Sequence, residues 1–451
     1  MNDVRPFRAI HYNPERIGEI GPCLSQPYDV ISPDQQLAYY KRHEYNVVRL
    51  ILNREEPEDN ETNNRYTRAR RYLQDWLKNG ILKSTQAPSF WVYEQEYETP
   101  LGARASVKGF IGIVRLRDFD EGCVIPHERV MKGPIEDRMR LARSTETQFE
   151  SIWSFYEDSS GELDSVLEET CRKAPSLDYI EKPFDAADLP VRHRLWNCQE
   201  SEYCHAIQER MKALKIYIAD GHHRYHTMLQ LRNEKRKEAS NTDAGPWEYI
   251  LMWLVNSASN DITIRPYHRM IHSVDAARIE SLLDYLKGSF EIVEYPDIAT
   301  QRATTEALQK LRDIGENSHS FGIFMGEQNR FFTATLQNEN RYLRAVDLPA
   351  SSDAWKLLDV NILNNFVLRM GLEITEQDLA DQRNVKYTHS ASEAIERVQG
   401  GEMQMAFLLN PTKLEEVITL SQNGEVLPGK STFFYPKPVS GLAFYPMAER
   451  T

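Results

Sequence analysis

The sequence predicts a mixed α/β protein of more than one domain, and three observations carry that expectation. Its 451 residues correspond to about three domains at roughly 150 residues each. Apolar runs rich in β-branched and aromatic residues, such as SFWVYEQEYE, SVKGFIGIVRL, LKIYIA and WEYILMWLVN, read as strands. Segments of helical period lie between them, without the regular βαβ cadence of a doubly wound sheet. Hydrophobic residues make up 41% and charged residues 27%. This is ordinary globular composition and excludes a disordered tail, a collagen or a disulfide miniprotein.

The elements follow in order. QPYDVIS (Gln26–Ser32) reads as a Pro-anchored loop. Ser32 is placed to cap a helix that opens on Pro33. NVVRLIL (Asn46–Leu52) reads as a buried strand, and Arg54–Asn64 as a polar loop. In RYTRARRYLQDWLKNGIL, Tyr66, Ala69, Leu73, Trp76 and Leu77 share one helix face, with Gly80 at the C-terminal end. SFWVYEQEYE and SVKGFIGIVRL form a hairpin across ETPLGARA. Pro126–Thr145 leaves a strand and enters a helix. LKIYIA is a strand followed at once by the helix DGHHRYHTMLQLRNEKRKEA, in which Lys235-Arg236-Lys237 is a solvated face. Beyond residue 275, strands (FEIVEY, SFGIFMG, RFFTATL, MQMAFLLN) alternate with helices near 301–312, 352–370 and 391–399.

Lys and Arg total 54 against 67 Asp and Glu, a net charge of −13. Such a chain repels a phosphate backbone, so nucleic acid is not the expected partner. No apolar run reaches the roughly 18 residues of a bilayer span, and the N-terminus lacks a signal-peptide pattern. A cytoplasmic protein is expected. Cys23, Cys123, Cys171, Cys198 and Cys204 are scattered and make no Cys-x-x-Cys pair, so reduced structural thiols are expected.

The sharpest chemical motif is Asp220-Gly221-His222-His223-Arg224, between an apolar strand and a helix. The first helical N–H groups are unpaired and the helix dipole is positive there, which suits an anion. Gly221 lets a phosphate approach the backbone. Arg224 and the histidines can donate to its oxygens. Asp220 can hold Mg²⁺ or orient a histidine. His222 and His226, four apart, are one element of a zinc site, but the Glu of a zincin pattern is absent after His222. Pro126-His127-Glu128-Arg129 stands at a second strand-to-helix turn, where Glu128 can be a general base or a metal ligand. Gly424–Ser431 matches the P-loop string by letter. A helix precedes it and Phe433-Phe434-Tyr435-Pro436 follows, so the strand-to-helix context of a P-loop fails. Lys430 beside Ser431 and Thr432 still suits a carboxylate or phosphate. QPYDVIS and Tyr267-His268-Arg269 are lesser candidates, read as structural.

Together these stretches resemble the free serine kinases of the SerK type, whose fold is related to ParB and sulfiredoxin. IPHERVM (Ile125–Met131), IYIADGHHRYHTMLQL (Ile216–Leu231) and TKLEEVITLSQNGEVLPGKST (Thr412–Thr432) carry the match in the same order. Ser431 replaces the first Thr of that family's Pro-x-Lys-Thr-Thr turn. SFGIFMGEQNRFFTATL resembles its middle hairpin. The whole chain also resembles a large bacterial and archaeal family known as a domain of unknown function. That family shares RPFRAI, PYDVIS, NVVRLIL, the Pro-His-Glu and Asp-Gly-His-His-Arg motifs, and a Lys-Ser-Thr ending before FFYPK. Residues 1–105 and about 145–212 have no counterpart in the short serine kinases.

The resemblance implies a ParB/sulfiredoxin-like core at 106–275 with an insertion at about 145–212. An N-terminal α/β extension (1–105) and a C-terminal α+β region (276–451) flank it. It implies phosphoryl transfer from ADP or ATP, with Mg²⁺, to free L-serine or a similar small alcohol. Asp220, Gly221, His222, His223 and Arg224 would hold the nucleotide. Glu128, Asp220 and His223 would be catalytic. His127, Lys430, Ser431 and Thr432 would bind the acceptor. Two alternatives stay open: a ParB-like switch that binds or hydrolyses a nucleotide, and a sulfiredoxin-like ATP-dependent repair enzyme. The second needs a Cys beside the Asp220 turn, and none adjoins it in sequence.

Overall fold

A computed structural model describes residues 1–99, 102–130, 132–184, 189–238, 245–260, 262–295, 301–326, 329–346, 348 and 350–448. The chain divides into two compact units, Met1–Thr263 with Pro436–Thr451, and Ile264–Tyr435. The divisions expected at 105 and 275 differ from these. Residue 105 falls inside a strand of the first unit's sheet, and the last sixteen residues return to that unit after the second is complete.

The first unit is built on a mixed sheet of nine strands among the described residues. They are β1 (Val4–Arg5), β2 (Phe90–Glu98), β3 (Arg104–Arg115), β4 (Val124–Ile125), β5 (Ile152–Tyr156), β6 (Leu177–Glu181), β7 (Val191–Cys198), β8 (Ile216–Asp220) and β9 (Tyr249–Asn256). The order is β4-β8-β5-β9-β3-β2-β7-β6, and β1 pairs with β3. The expected hairpin is present as β2–β3, paired from Trp91↔Ile111 to Glu98↔Arg104. β9 is buried on both faces, as its continuous apolar run requires. The fully buried indoles of Trp153 and Trp253 lie 5.3 Å apart on neighbouring strands.

The helices of this unit that bear on function are α1 (Pro33–Arg42), α2 (Arg65–Lys78), α3 (Lys132–Thr145) and α4 (His222–Glu238). Ser32 caps α1 in a capping box with Gln35, and Pro33 opens it. NVVRLIL is not a strand. Val48–Ile51 forms one helical turn with Val48, Leu50 and Ile51 buried. A short apolar run carries no period of its own, and here the Asn46 side chain decides the conformation. Its Oδ1 accepts from Val48 N at 3.0 Å and its Nδ2 donates to Pro22 O and Leu24 O at 2.8 Å.

Among the described residues, the second unit holds a six-stranded sheet of β10 (His268–Ile271), β11 (Phe290–Tyr295), β12 (Ser320–Met325), β13 (Arg330–Leu336), β14 (Val385–Thr388) and β15 (Met405–Leu409), in the order β11-β13-β12-β15-β10-β14. Alternate residues feed two cores. Ile271, Ile323, Phe332 and Phe407 join one, and Met270, Phe324, Phe331 and Ala406 join the other. Helices Ala276–Leu286 and Leu363–Gly371 contribute to the first core. Helices Gln301–Gly315 and Ala391–Gln399 contribute to the second. The helix expected near 352–370 is three pieces, Asp353–Lys356, Asp359–Ile362 and a π-helical Leu363–Gly371.

All five cysteines are free thiols. Among the described residues, no helix is long and apolar enough to cross a membrane.

Candidate functional site

β4 and β8 are parallel neighbours, with Ile216 beside Val124 and Tyr217 beside Ile125. Both chains therefore leave the sheet at the same end. β4 runs out into Pro126-His127-Glu128 and β8 into Gly221-His222, which brings together two motifs far apart in sequence. The ligand atoms of His127, Glu128 and His222 all lie within 4.8 Å of one another. The two imidazoles meet edge to face, with centroids 4.6 Å apart.

Both histidines are buried, at 3% and 4% exposure, while Glu128 is half-buried. His127 Nδ1 lies 2.7 Å from Ile218 O. A carbonyl only accepts, so Nδ1 carries the proton. The backbone N–H of His127 donates to His222 Nε2 at 3.2 Å, so that nitrogen is unprotonated. Burial lowers His127 to about 4, against a smaller upward pull from the Ile218 carbonyl and Asp220. Burial, then the neighbouring His127 ring, pushes His222 well below the usual imidazole range. Both rings are neutral at pH 7.

The turn after β8 is tightly tied. The ladder slips between Ile218 and Asp220, a bulge of the kind that re-aims side chains at sheet ends. Gly221 has φ +102°, a conformation that side-chain-bearing residues rarely adopt. Asp220 is bonded on both oxygens, one to Arg224 Nη2 at 3.0 Å and the other to the Lys437 ammonium. Burial would lift its pKa, but Lys437 and Arg224 hold it at about 2. Arg224 is 8% exposed, and its Nη1 donates to Ser151 O at 2.9 Å. Its burial is offset by Glu150 and Asp220, which raise its pKa. His223 is half-buried on the first turn of α4, and its carbonyl accepts from Thr227 Oγ1 at 2.8 Å.

Three neighbours carry no expected role in the sequence. Lys437 lies in FFYPKP after the second unit, and only the fold brings it to Asp220. Glu150 accepts from Tyr28 N at 3.2 Å and from Ser440 Oγ at 2.9 Å. Tyr28 in turn stacks under Arg138 at 3.8 Å. The QPYDVIS loop is thus tied beside Arg224. Its Pro-anchored Tyr-Asp was the available signal, but nothing local distinguishes such a loop from a structural one.

Lys430, Ser431 and Thr432 belong to the second unit. Lys430 has φ +62°, and its ammonium lies 4.9 Å from the Tyr267 ring centroid. Its carbonyl accepts from Arg269 Nη2 at 3.1 Å. Ser431 Oγ donates to Pro428 O at 2.6 Å. A strand, Phe433–Tyr435, follows this turn in place of the helix a P-loop would open.

Mg²⁺ takes oxygen ligands in near-octahedral geometry. Asp220, the carboxylate expected to serve it, already pairs with two cations, and the His127–Glu128–His222 trio offers two nitrogens and one carboxylate. Without phosphate oxygens these side chains alone do not make a Mg²⁺ site.

The model of the family described as protein of unknown function (DUF1015) matches residues 4–361. The chain belongs to that family. No curated protein matches it in sequence. Among solved structures, a free serine kinase in complex with AMP aligns at 14% identity with a TM-score of 0.35, covering 73% of this chain and 89% of that one. A conserved hypothetical protein from Pyrococcus furiosus aligns at 14% with a TM-score of 0.32, covering 73% and 92%. SbnI with a C-terminal truncation, from Staphylococcus aureus, aligns at 9% with a TM-score of 0.33, covering 73% and 84%. At these scores the likeness decides neither the fold nor the activity of this DUF1015 chain.

Proposed function

We propose that this DUF1015 protein is a kinase that transfers a phosphoryl group from ADP or ATP to the hydroxyl of free L-serine or a similar small alcohol, on a ParB/sulfiredoxin-like core. The observation that carries the reading is the meeting of Pro126-His127-Glu128 and Asp220-Gly221-His222-His223-Arg224 at the ends of two parallel strands. The residues then divide the work. The first turn of α4, with Gly221, takes a phosphate on its backbone N–H groups. Asp220 holds Arg224 and Lys437 beside that turn. His223, on the first turn of α4, donates to the phosphate or the reacting group. Glu128 accepts the hydroxyl proton as the new bond forms, and His127 lines the acceptor side. Lys430, Ser431 and Thr432 are proposed to hold the acceptor on the strength of their motif. Positioning and charge stabilisation supply most of the rate in phosphoryl transfer, so a sparse set suffices.

A transfer screen tests this reading. Purified protein is incubated with ADP or ATP and a panel of hydroxy amino acids and small alcohols, and phosphorylated products are read by mass spectrometry. A phosphorylated small alcohol formed with either nucleotide is the expected result. Tight nucleotide binding with no acceptor phosphorylated, or with hydrolysis alone, contradicts a kinase.

A further inference from the structure

We infer that His127, Glu128 and His222 bind one divalent transition-metal ion, of the Zn²⁺ or Mn²⁺ class. Three ligand atoms from two residue types already lie within 4.8 Å of one another before any ion is added. The tautomers of the two rings suit an ion. The His127 Nδ1–H bond to Ile218 O leaves the lone pair of that ring on Nε2. A backbone carbonyl that fixes the tautomer in this way is the usual support behind a metal-bound histidine. His222 Nε2 is unprotonated as well, since it accepts the His127 amide at 3.2 Å. An ion at Nε2 would displace that hydrogen bond.

The donor set defines the ion. Two imidazole nitrogens and one carboxylate suit Zn²⁺, Mn²⁺ and their first-row neighbours, whereas Mg²⁺ and Ca²⁺ call for oxygen. Three protein ligands leave a coordination position open, the arrangement of catalytic rather than structural sites. All three stand just past the ends of β4 and β8, with both imidazoles buried, so little ordering is left for the ion to impose. The inference deepens the kinase reading and rests on it in one respect only: a phosphate oxygen at the α4 turn would complete the coordination. A carboxylate that binds through one oxygen keeps the other to accept a proton, so Glu128 retains its role as base.

The test uses the full chain, stripped with chelator and dialysed against Zn²⁺, Mn²⁺ or Mg²⁺ with no nucleotide or acceptor present. One Zn²⁺ per chain, retained against millimolar Mg²⁺, is expected. The Co²⁺-loaded protein should show the visible absorption of a nitrogen–oxygen site. His127→Gln and His222→Gln should each weaken Zn²⁺ binding at least about 10-fold, with unchanged far-ultraviolet circular dichroism. The absence of stoichiometric Zn²⁺ and of a Co²⁺ spectrum in the wild-type protein overturns the site, and this arm needs no variant to fold. Unchanged Zn²⁺ affinity in both variants overturns it equally. Because nucleotide is absent, a chain that proves to be no kinase can still bind the ion. A chain that binds no ion can still pass the transfer screen.

Discussion

Gly221 is the residue on which the geometry of the turn depends. At φ +102° a Cβ would strain the backbone and would also meet the Arg224 guanidinium at 2.9–3.1 Å. The guanidinium cannot swing away freely, because Ser151 O and Asp220 hold it. Gly221→Ala should therefore destabilise the fold by about 1–3 kcal/mol, measured by urea denaturation. An unchanged midpoint would mean that the turn relaxes at no cost. The glycine, the flanking strand and the following helix were all legible in the sequence. The donors of Arg224 were not. Spacing alone suggests an arginine open to phosphate, whereas the fold buries it and directs two of its nitrogens to Asp220 and a carbonyl. Which partner a side chain takes is decided by residues distant in sequence, here Ser151 and Lys437.

At the scale of elements, β9 was readable because its eight-residue apolar run leaves one assignment open, and so was α1, whose Ser32 cap and Pro33 start are local chemistry. NVVRLIL was misread because its helical turn is fixed by Asn46 bonding to a loop that the sequence does not place beside it. One tie between elements gives a pH prediction. Asp158, just past the end of β5, is 2% exposed and accepts from Arg210, on the helix Ser201–Met211, at 2.6 and 3.1 Å. The Arg210 bond, against burial and together with Ser160, holds Asp158 at about 2, below its ordinary 3.8. A carboxyl depressed on folding stabilises above its unfolded pKa, and that stability is lost as pH falls through the folded one. The contribution should be complete above about pH 5 and disappear between about pH 4 and 2. Asp158→Asn should cost about 1–2 kcal/mol at pH 7, modest because Arg210 is partly exposed. In thermal melts the deficit should shrink towards pH 2. A deficit of equal size at pH 7 and pH 2 would show that the ion pair is not its source.

At the scale of the whole molecule, the mixed α/β class and the DUF1015 membership were legible, because strand runs and motifs survive along the whole chain. The division into units was not. Neither the return of Pro436–Thr451 to the first unit nor the completeness of residues 264–435 as a unit leaves a mark in local composition. The same return brings Lys437 to Asp220, which no spacing rule would pair. The meeting of Glu128 with the histidines was legible only through resemblance, since it depends on β4 and β8 being parallel neighbours. The proposed transfer depends most on Glu128, the group that would take the acceptor's proton beside a phosphate site. Glu128→Gln keeps the shape of the side chain and removes the base. In the transfer assay its turnover should fall about 10²- to 10⁴-fold, with nucleotide affinity of the chelator-stripped protein close to wild type by calorimetry. Turnover near wild type in the folded Glu128→Gln protein would contradict the account.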